Sequence, residues 1–368
     1  MNAPASCPAL APAGDAPAAD LVLLGCGQVG RALLRRLHGQ PAAARLRLLA
    51  VATSSRHLHA ASGLVAGSAA DALDRVAPGA APADPLAWLA PDGRRAAIVV
   101  DASASEALAA RHARWLAAGA HVVTANKRGL GAGLERWLAI RDAQALTGAR
   151  YGASATVGAG LPLLPAIARL RAGGDRIHAL AGTLSGTLSW LLDRYDGSRP
   201  FSALVGQARA LGLTEPDPWQ DLGGLDVERK LLILARAAGH ALPASAVRRR
   251  PLLDPAKGPD AAALDRAMAG WLARARGAGR VLRHVARLDA DGAARVGLEC
   301  LAPDDPLARP GCENRLAIHC DRYPEAPLTL SGPGAGPAVT AAGLLDDVLA
   351  IAAAPGAGRL APPPGSRS

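Results

Sequence analysis

The chain has 368 residues, half of them apolar and only 3% aromatic, with a formal net charge of +10. That length and apolar content allow two or more domains with a sizeable core and exclude a disordered chain. The arginines are scattered apart from Arg248–Arg250, with no aromatic interleaving, which speaks against nucleic acid; a basic enzyme with an anionic cofactor fits the charge better.

Residues 1–19 lack the basic start and long apolar run of a signal peptide and read as a flexible tail, as does the APPPGSRS end. Ordered sequence opens with an apolar strand, LVLLG at 21–25, a glycine turn and RALLRRL in helical rhythm. Strand-like runs follow at 46–52 and 96–103, then an amphipathic helix over SEALAARHARWLAAG (105–119) and a strand at AHVVTANK (120–127). Strands alternating with helices predict a parallel sheet covered on both faces. Beyond it, 155–170 reads as a glycine turn into a helix, and 177–195 as strand, Ser/Gly/Thr turn and helix. Runs at 280–288, 294–302 and 315–320 suggest a mostly antiparallel sheet. Finally 328–336 is a strand into a glycine loop, and a last helix matches the first domain better than the second. Residues 78–93 and 251–262 read as loops.

The fold class expected is α/β: a Rossmann-type parallel-sheet nucleotide-binding domain plus an α+β catalytic and dimerisation domain. The boundaries are 1–19 tail, 20–150 nucleotide-binding, 151–327 substrate-binding and dimerisation, 328–355 return to the first domain, and 356–368 tail. Five cysteines (Cys7, Cys26, Cys300, Cys312, Cys320) without CxxC spacing argue against disulfides or structural zinc and fit a cytoplasmic location. No stretch approaches the roughly 18 apolar residues of a membrane span.

Gly25-Cys26-Gly27-Gln28-Val29-Gly30 matches GxGxxG with a strand before it and a helix after it. Its glycines allow a tight turn, close approach of backbone to a pyrophosphate, and close helix–strand packing. NAD-selective sites usually carry an acid about 20 residues on. None lies between Gly30 and Asp71; the second strand instead runs into Thr53-Ser54-Ser55-Arg56, which suits a 2′-phosphate and favours NADP over NAD. The competing reading of Arg56 is a solvated loop arginine.

Among 41 basic side chains only Lys127, Lys230 and Lys257 are lysine. Arginine holds its proton too tightly for acid–base work, whereas lysine can exchange one, so the lysines are the candidates for chemistry. Lys257 lies in a loop. Lys127 follows a strand at the carboxyl edge of the first sheet, where such folds bind ligands. Lys230 closes GLTEPDPWQDLGGLDVERK, four residues after Asp226, on one helix face. By spacing alone a solvated ion pair is the simpler reading. The prolines around Asp217, the acids Glu215 and Asp221 and the Gly223-Gly224 pair suggest instead a rigid acidic loop able to recognise an ammonium group.

In chain order GCGQVG, VVTANK, ATVGAGLP, GTLSGTLS, the long acidic block and GPGAGPAVTAAG resemble the homoserine dehydrogenases over nearly all of residues 20–353. The resemblance implies reversible NAD(P)H-dependent reduction of L-aspartate 4-semialdehyde to L-homoserine, on the route to threonine and methionine, by a homodimer. It also implies a short monofunctional enzyme without kinase or regulatory segment. Carried over, Lys230 is the proton donor and Lys127 a lysine near nicotinamide and substrate; either could deliver the proton. Glu215, Asp226 and Asp221 are substrate-side acids, Gly186 and Thr187 line the same pocket, and Ser103, Gly334 and Gly336 touch the cofactor. The family's sodium or potassium site falls on Val157, Ala159 and Leu161, but its glutamate is replaced here by Ser154, which weakens the cation expectation. Leu213 stands where some members have tyrosine. Rival readings are a thioester-forming semialdehyde dehydrogenase, which needs an activated cysteine that no motif supplies, and a non-catalytic NADP-binding sensor.

Overall fold

The computed structural model of the protein describes residues 18–79, 84–89, 95–214, 218–252 and 260–354. The first half builds β1 (Ala19–Leu24), α1 (Gln28–Gly39), β2 (Leu46–Ala52), β3 (His57–His59), α2 (Ala66–Arg75), β4 (Ala96–Asp101), α3 (Glu106–Ala109), α4 (His112–Ala117), β5 (His121–Thr124), α5 (Leu134–Thr147) and β6 (Tyr151–Gly152). These strands form one sheet in the order β3-β2-β1-β4-β5-β6, parallel except where β3 returns against β2. Side chains alternate across a strand, so the unbroken apolar runs of β1 and β4 feed two cores. Leu21, Leu23, Ile98 and Val100 pack with Leu33 and Leu34 of α1. Val22, Leu24 and Val99 pack with Trp115, Leu116 and Ile140 on the opposite face.

The second half builds α6 (Leu163–Ala172), β7 (Ile177–Thr183), α7 (Gly186–Arg194), α8 (Phe201–Ala210), α9 (Pro218–Leu222), α10 (Leu225–Ala237), β8 (Val247–Arg249), α11 (Ala261–Gly277), β9 (Val281–Leu288), β10 (Ala294–Leu301), β11 (Asn314–Cys320), β12 (Tyr323–Gly332) and α12 (Pro337–Ala352). Its sheet runs β12-β11-β7-β9-β10-β8, antiparallel except for the β10–β8 pair. The apolar stripe of α10, with Val227, Leu231 and Leu234, shares a core with Leu180, Val296, Leu316 and Ile318 of that sheet. Helix α12 returns to the first sheet, where Ala341, Leu344, Leu345 and Val348 pack on the α1 side with Leu21 and Leu33.

Several expectations shift. The helix expected over 105–119 is two, α3 and α4, and the break seats buried His112 against Asp101 (Nε2 to Oδ2, 3.0 Å) and Tyr151 (2.8 Å). The strand of 120–127 ends at Thr124, because the Thr124 hydroxyl accepts the Asn126 amide (2.8 Å) and turns the chain. Strand β12 starts at Tyr323, five residues before the expected 328, and the alanine-rich α11 had no sequence counterpart. The 78–93 loop holds a 3-10 turn at Pro85–Trp88 that buries Trp88. The expected tail of 1–19 reaches two residues too far, since the Ala18 amide donates to the Arg45 carbonyl (2.7 Å) and Ala19 is fully buried at the start of β1. Residues 1–17 and 355–368 lie outside the described residues. Among the described residues no helix is long and apolar enough to cross a membrane.

Candidate active site

The strand order reverses direction between β1 and β4, and the loops leaving their carboxyl ends face each other. Gly25, at φ +95°, makes the first turn: a Cβ there would stand 2.9 Å from the Ser103 nitrogen. A Cβ on Gly30 would stand 2.0 Å from the Gly25 carbonyl oxygen, so only glycine lets α1 start this close to β1. Gly27 precedes Gln28 at the first turn of α1; a Cβ on it would meet nothing within 4 Å, so the helix N-terminus is open. Val29 lines the cleft beyond.

Ser54 and Arg56 sit on the β2–β3 turn beside Gly25, whose amide donates to the Ala52 carbonyl (2.8 Å). Thr53 closes that turn by accepting the Arg56 amide (3.0 Å), Ser54 is exposed, and the Arg56 Nε is buried with no hydrogen-bond partner among the described residues. Asp74 of α2 is committed to Arg31 at 2.7 and 2.9 Å. The open glycine turn and the unpartnered buried guanidinium nitrogen together fit a dinucleotide with an anionic group near Arg56.

A cleft of about 1050 Å³ extends from this point, lined by Val29, Ser103, Lys127, Asp226, Lys230 and Gly334 among others. Asp101 at the end of β4 organises its floor. One carboxylate oxygen accepts the Ser103 amide (2.9 Å) and hydroxyl (2.6 Å), and the other accepts Asn126 Nδ2 (3.0 Å) and His112. Gly334 and Gly336, from the loop into α12, and Thr340, in the first turn of α12, also line the cleft.

At the far end of the cleft, Lys127 and Lys230 converge on one carboxylate. Lys230 Nζ lies 2.8 Å from Asp226 Oδ2 and Lys127 Nζ 3.3 Å from Oδ1. Spacing of four on α10 explains the first contact; the second exists only because the loop after β5 meets α10. The Asp226 side chain is half exposed to the cleft; partial desolvation pushes its carboxyl up, but the two ammonium groups outweigh that and hold the acid well below the usual carboxylate range. Lys230 is buried and also donates to the Leu184 carbonyl (2.8 Å), which is not the behaviour of a solvated surface pair. Asp221 of α9 lines the cleft beside Gly223.

Gly186 and Thr187 are not among the lining residues; the Thr187 hydroxyl donates to the Leu213 carbonyl (2.6 Å), two residues before Glu215. Glu215 itself lies outside the described residues, as does Lys257. Val157 is buried, Ala159 adopts a left-handed φ of +55°, and the Leu161 amide donates to the Gly158 carbonyl (2.9 Å). Ser154 donates its amide (2.9 Å) and hydroxyl (2.7 Å) to Asp347 of α12, whose carboxyl burial pushes up. Among the described residues no three His, Cys, Asp or Glu side chains gather as a metal site. Sequence reasoning missed Asn126, Trp219, Arg229 and Arg249, which line the cleft, and Asp347. Of these Asn126 lies inside VVTANK and Trp219 and Arg229 inside the acidic block, whereas Arg249 and Asp347 carried no local signal.

Two family models cover the chain: one described as homoserine dehydrogenase matches residues 162–349, and one described as the homoserine dehydrogenase NAD-binding domain matches 25–152. The homoserine dehydrogenase of Emericella nidulans is 34% identical over 360 residues, covering 90% of this chain and 97% of its own length. The bifunctional aspartokinase/homoserine dehydrogenase 2 of Escherichia coli is 43% identical over 265 residues, which are 69% of this chain. The chain spans about a third of the length of such bifunctional relatives, 33% in that case. Among solved structures, a Candida auris protein of unknown function aligns with a TM-score of 0.83 at 28% identity, over 91% of this chain and 98% of that one. A hyperthermophilic archaeal homoserine dehydrogenase in complex with NADPH shares the fold, with a TM-score of 0.71 at 22% identity, over 90% and 96% of the two chains. Fold, cleft and family model thus define a protein with an NAD-binding α/β domain. Within that class, the chain belongs to the homoserine dehydrogenase family.

Proposed function

We propose that the chain reversibly reduces L-aspartate 4-semialdehyde to L-homoserine, with NADPH preferred over NADH, in threonine and methionine biosynthesis. The observation that carries this reading is the pair of lysines sharing Asp226 in the cleft that opens from the glycine turn. When bound, the nicotinamide supplies hydride to the aldehyde carbon. The protein's task is then to hold the substrate and to protonate the alkoxide oxygen that develops. Lys230, buried and fixed by Asp226 and the Leu184 carbonyl, is the donor in this reading, with Lys127 stabilising the same oxygen. Asp226, Asp221 and Glu215 hold the substrate ammonium, and Thr187, beside Gly186, acts from outside the cleft by bonding the Leu213 carbonyl of the segment that leads to Glu215. Gly25 to Gly30, Ser103, Gly334 and Gly336 carry the cofactor, with Ser54 and Arg56 at its 2′-phosphate.

The first sheet, through β6, with α12 is read as the cofactor domain, and the second sheet, which keeps residues 328–332 in β12, as the substrate and dimerisation domain, in a cytoplasmic homodimer. The test is NADPH oxidation with aspartate semialdehyde, with and without phosphate. Phosphate-independent turnover is expected; no NADPH oxidation but phosphate-dependent reduction of NADP+ by the same aldehyde would mean thioester chemistry, and no turnover in either direction would leave a sensor. Lys230→Arg keeps the charge yet is expected to lose about a thousandfold in kcat. Wild-type-like kcat in that variant would overturn the proton-donor role.

A further inference from the structure

Lys127 and Lys230 stand on different sheets' elements: Lys127 follows β5, and Lys230 lies on α10, which packs on the second sheet. Their joint contact with Asp226 does not by itself fix the distance between two separately folded units, since the Lys127 side chain is a third exposed. A second tie runs behind them. Arg236, six residues beyond Lys230 on α10, is only 3% exposed, and among the described residues no carboxylate lies within ion-pair distance of it. Its guanidinium is satisfied by carbonyls: Nη1 donates to Leu130 and to Ala132 (2.8 Å), and Nε and Nη2 donate to Leu242 at 3.1 and 2.9 Å. Burial lowers its pKa to about 10, so it remains a cation at neutral pH.

Burying an arginine without a carboxylate is unfavourable, and an apolar side chain could fill the same space. What an apolar side chain cannot do is hold two carbonyls of the loop after Lys127 onto α10. That loop has no slack. The Gly131 amide donates back to the Lys127 carbonyl (2.7 Å). A Cβ on Gly131 would lie 2.8 Å from that same oxygen and 3.1 Å from the carbonyl oxygen of Arg229, the residue before Lys230. The segment 130–132 is therefore seated on the α10 backbone beside Lys230 and hydrogen-bonded to the peptide of Lys127.

We propose that Arg236 is a positioning residue that sets the spacing between Lys127 and the Asp226–Lys230 pair across the junction of the two sheets. This rests on the two-lysine reading given above. Arg236 does not line the cleft and acts only through the loop it holds. A displacement of about 1 Å at a reacting group can cost on the order of a hundredfold in rate, which sets the size of the effect.

A double-mutant cycle on the full-length chain tests it, with kcat, KM for NADPH and melting temperature measured on Lys127→Met, Arg236→Met and the combination. Lys127→Met and Arg236→Met are each expected to lower kcat by about 30- to 100-fold, with KM for NADPH within about threefold of wild type. In the Arg236→Met background, adding Lys127→Met is expected to lower kcat by less than about threefold, because the lysine is already misplaced. Arg236→Lys keeps the charge without the fork and is expected to restore less than about a tenth of the activity. Gly131→Ala disturbs the same seat without touching the buried arginine, and replaces Arg236→Met in the cycle if that variant does not fold. Losses that multiply in the double variant, or wild-type kcat in Arg236→Met or Gly131→Ala, overturn the clamp. Wild-type kcat in Lys127→Met overturns the lysine assignment itself, a separate failure.

Discussion

His284, on β9 opposite Leu298, is buried, and among the described residues neither ring nitrogen has a hydrogen-bond partner. A Cβ on Gly224 would lie 3.5 Å from its Nε2, so the ring supports the Gly223-Gly224 turn that leads into Asp226. Desolvation lowers its pKa from 6.5 to about 4, with Glu299 opposing the shift less strongly. The folded protein thus refuses a proton that the unfolded chain accepts, and stability falls as pH drops below 6.5, until the folded form titrates near 4. The linkage works out to about 2 kcal/mol lost at pH 5 and less than about 0.1 kcal/mol at pH 7.5. His284→Phe removes the titration. Any constant packing difference between the two rings cancels when each protein is compared with itself at the two pH values. Denaturant unfolding of wild type and variant at pH 7.5 and 5 should therefore show a stability gap that moves by about 2 kcal/mol in favour of Phe at the lower pH. A gap independent of pH would refute the reasoning, and would mean that water or a local rearrangement solvates the ring.

Arg56→Ala should raise KM for NADPH by about tenfold or more while leaving KM for NADH within about twofold, measured by initial rates with each cofactor; equal effects on both would remove the 2′-phosphate assignment. Gly30→Ala places a methyl against the Gly25 carbonyl, and should lower stability by about 1–3 kcal/mol and weaken NADPH binding roughly tenfold in a fluorescence titration. Turnover should be unchanged when sodium or potassium chloride is replaced by choline chloride at equal ionic strength, because Ser154 stands at the family's glutamate position and is bound to Asp347. Strong activation by either cation would place a functional ion at Val157, Ala159 and Leu161 after all.

The local elements that carry the cofactor turn were legible because their signals are local: a continuous apolar strand, glycines at fixed offsets, then helical periodicity. The Asp226–Lys230 pair was legible for the same reason, being a spacing of four on one helix. What spacing could not decide was whether that pair faced solvent or a cleft. The helix break at 110–111 was hidden because its cause, the pull of Asp101 on His112, joins residues from separate elements. Helix α11 escaped because alanine-rich sequence gives little contrast between its faces.

The amino-acid sequence by itself determined the parallel sheet, the glycine turn, the scarcity of lysine and the acidic run that ends in one, since each is written within a few residues of chain. Only the tertiary structure decided that Lys127 and Lys230 share one carboxylate, that Arg56 keeps a buried unpartnered nitrogen, and that Arg236 binds carbonyls more than a hundred residues away in the chain. Those contacts depend on how two sheets are set against each other. That relation is fixed by the burial of apolar faces across the whole molecule, so no short stretch of sequence encodes it.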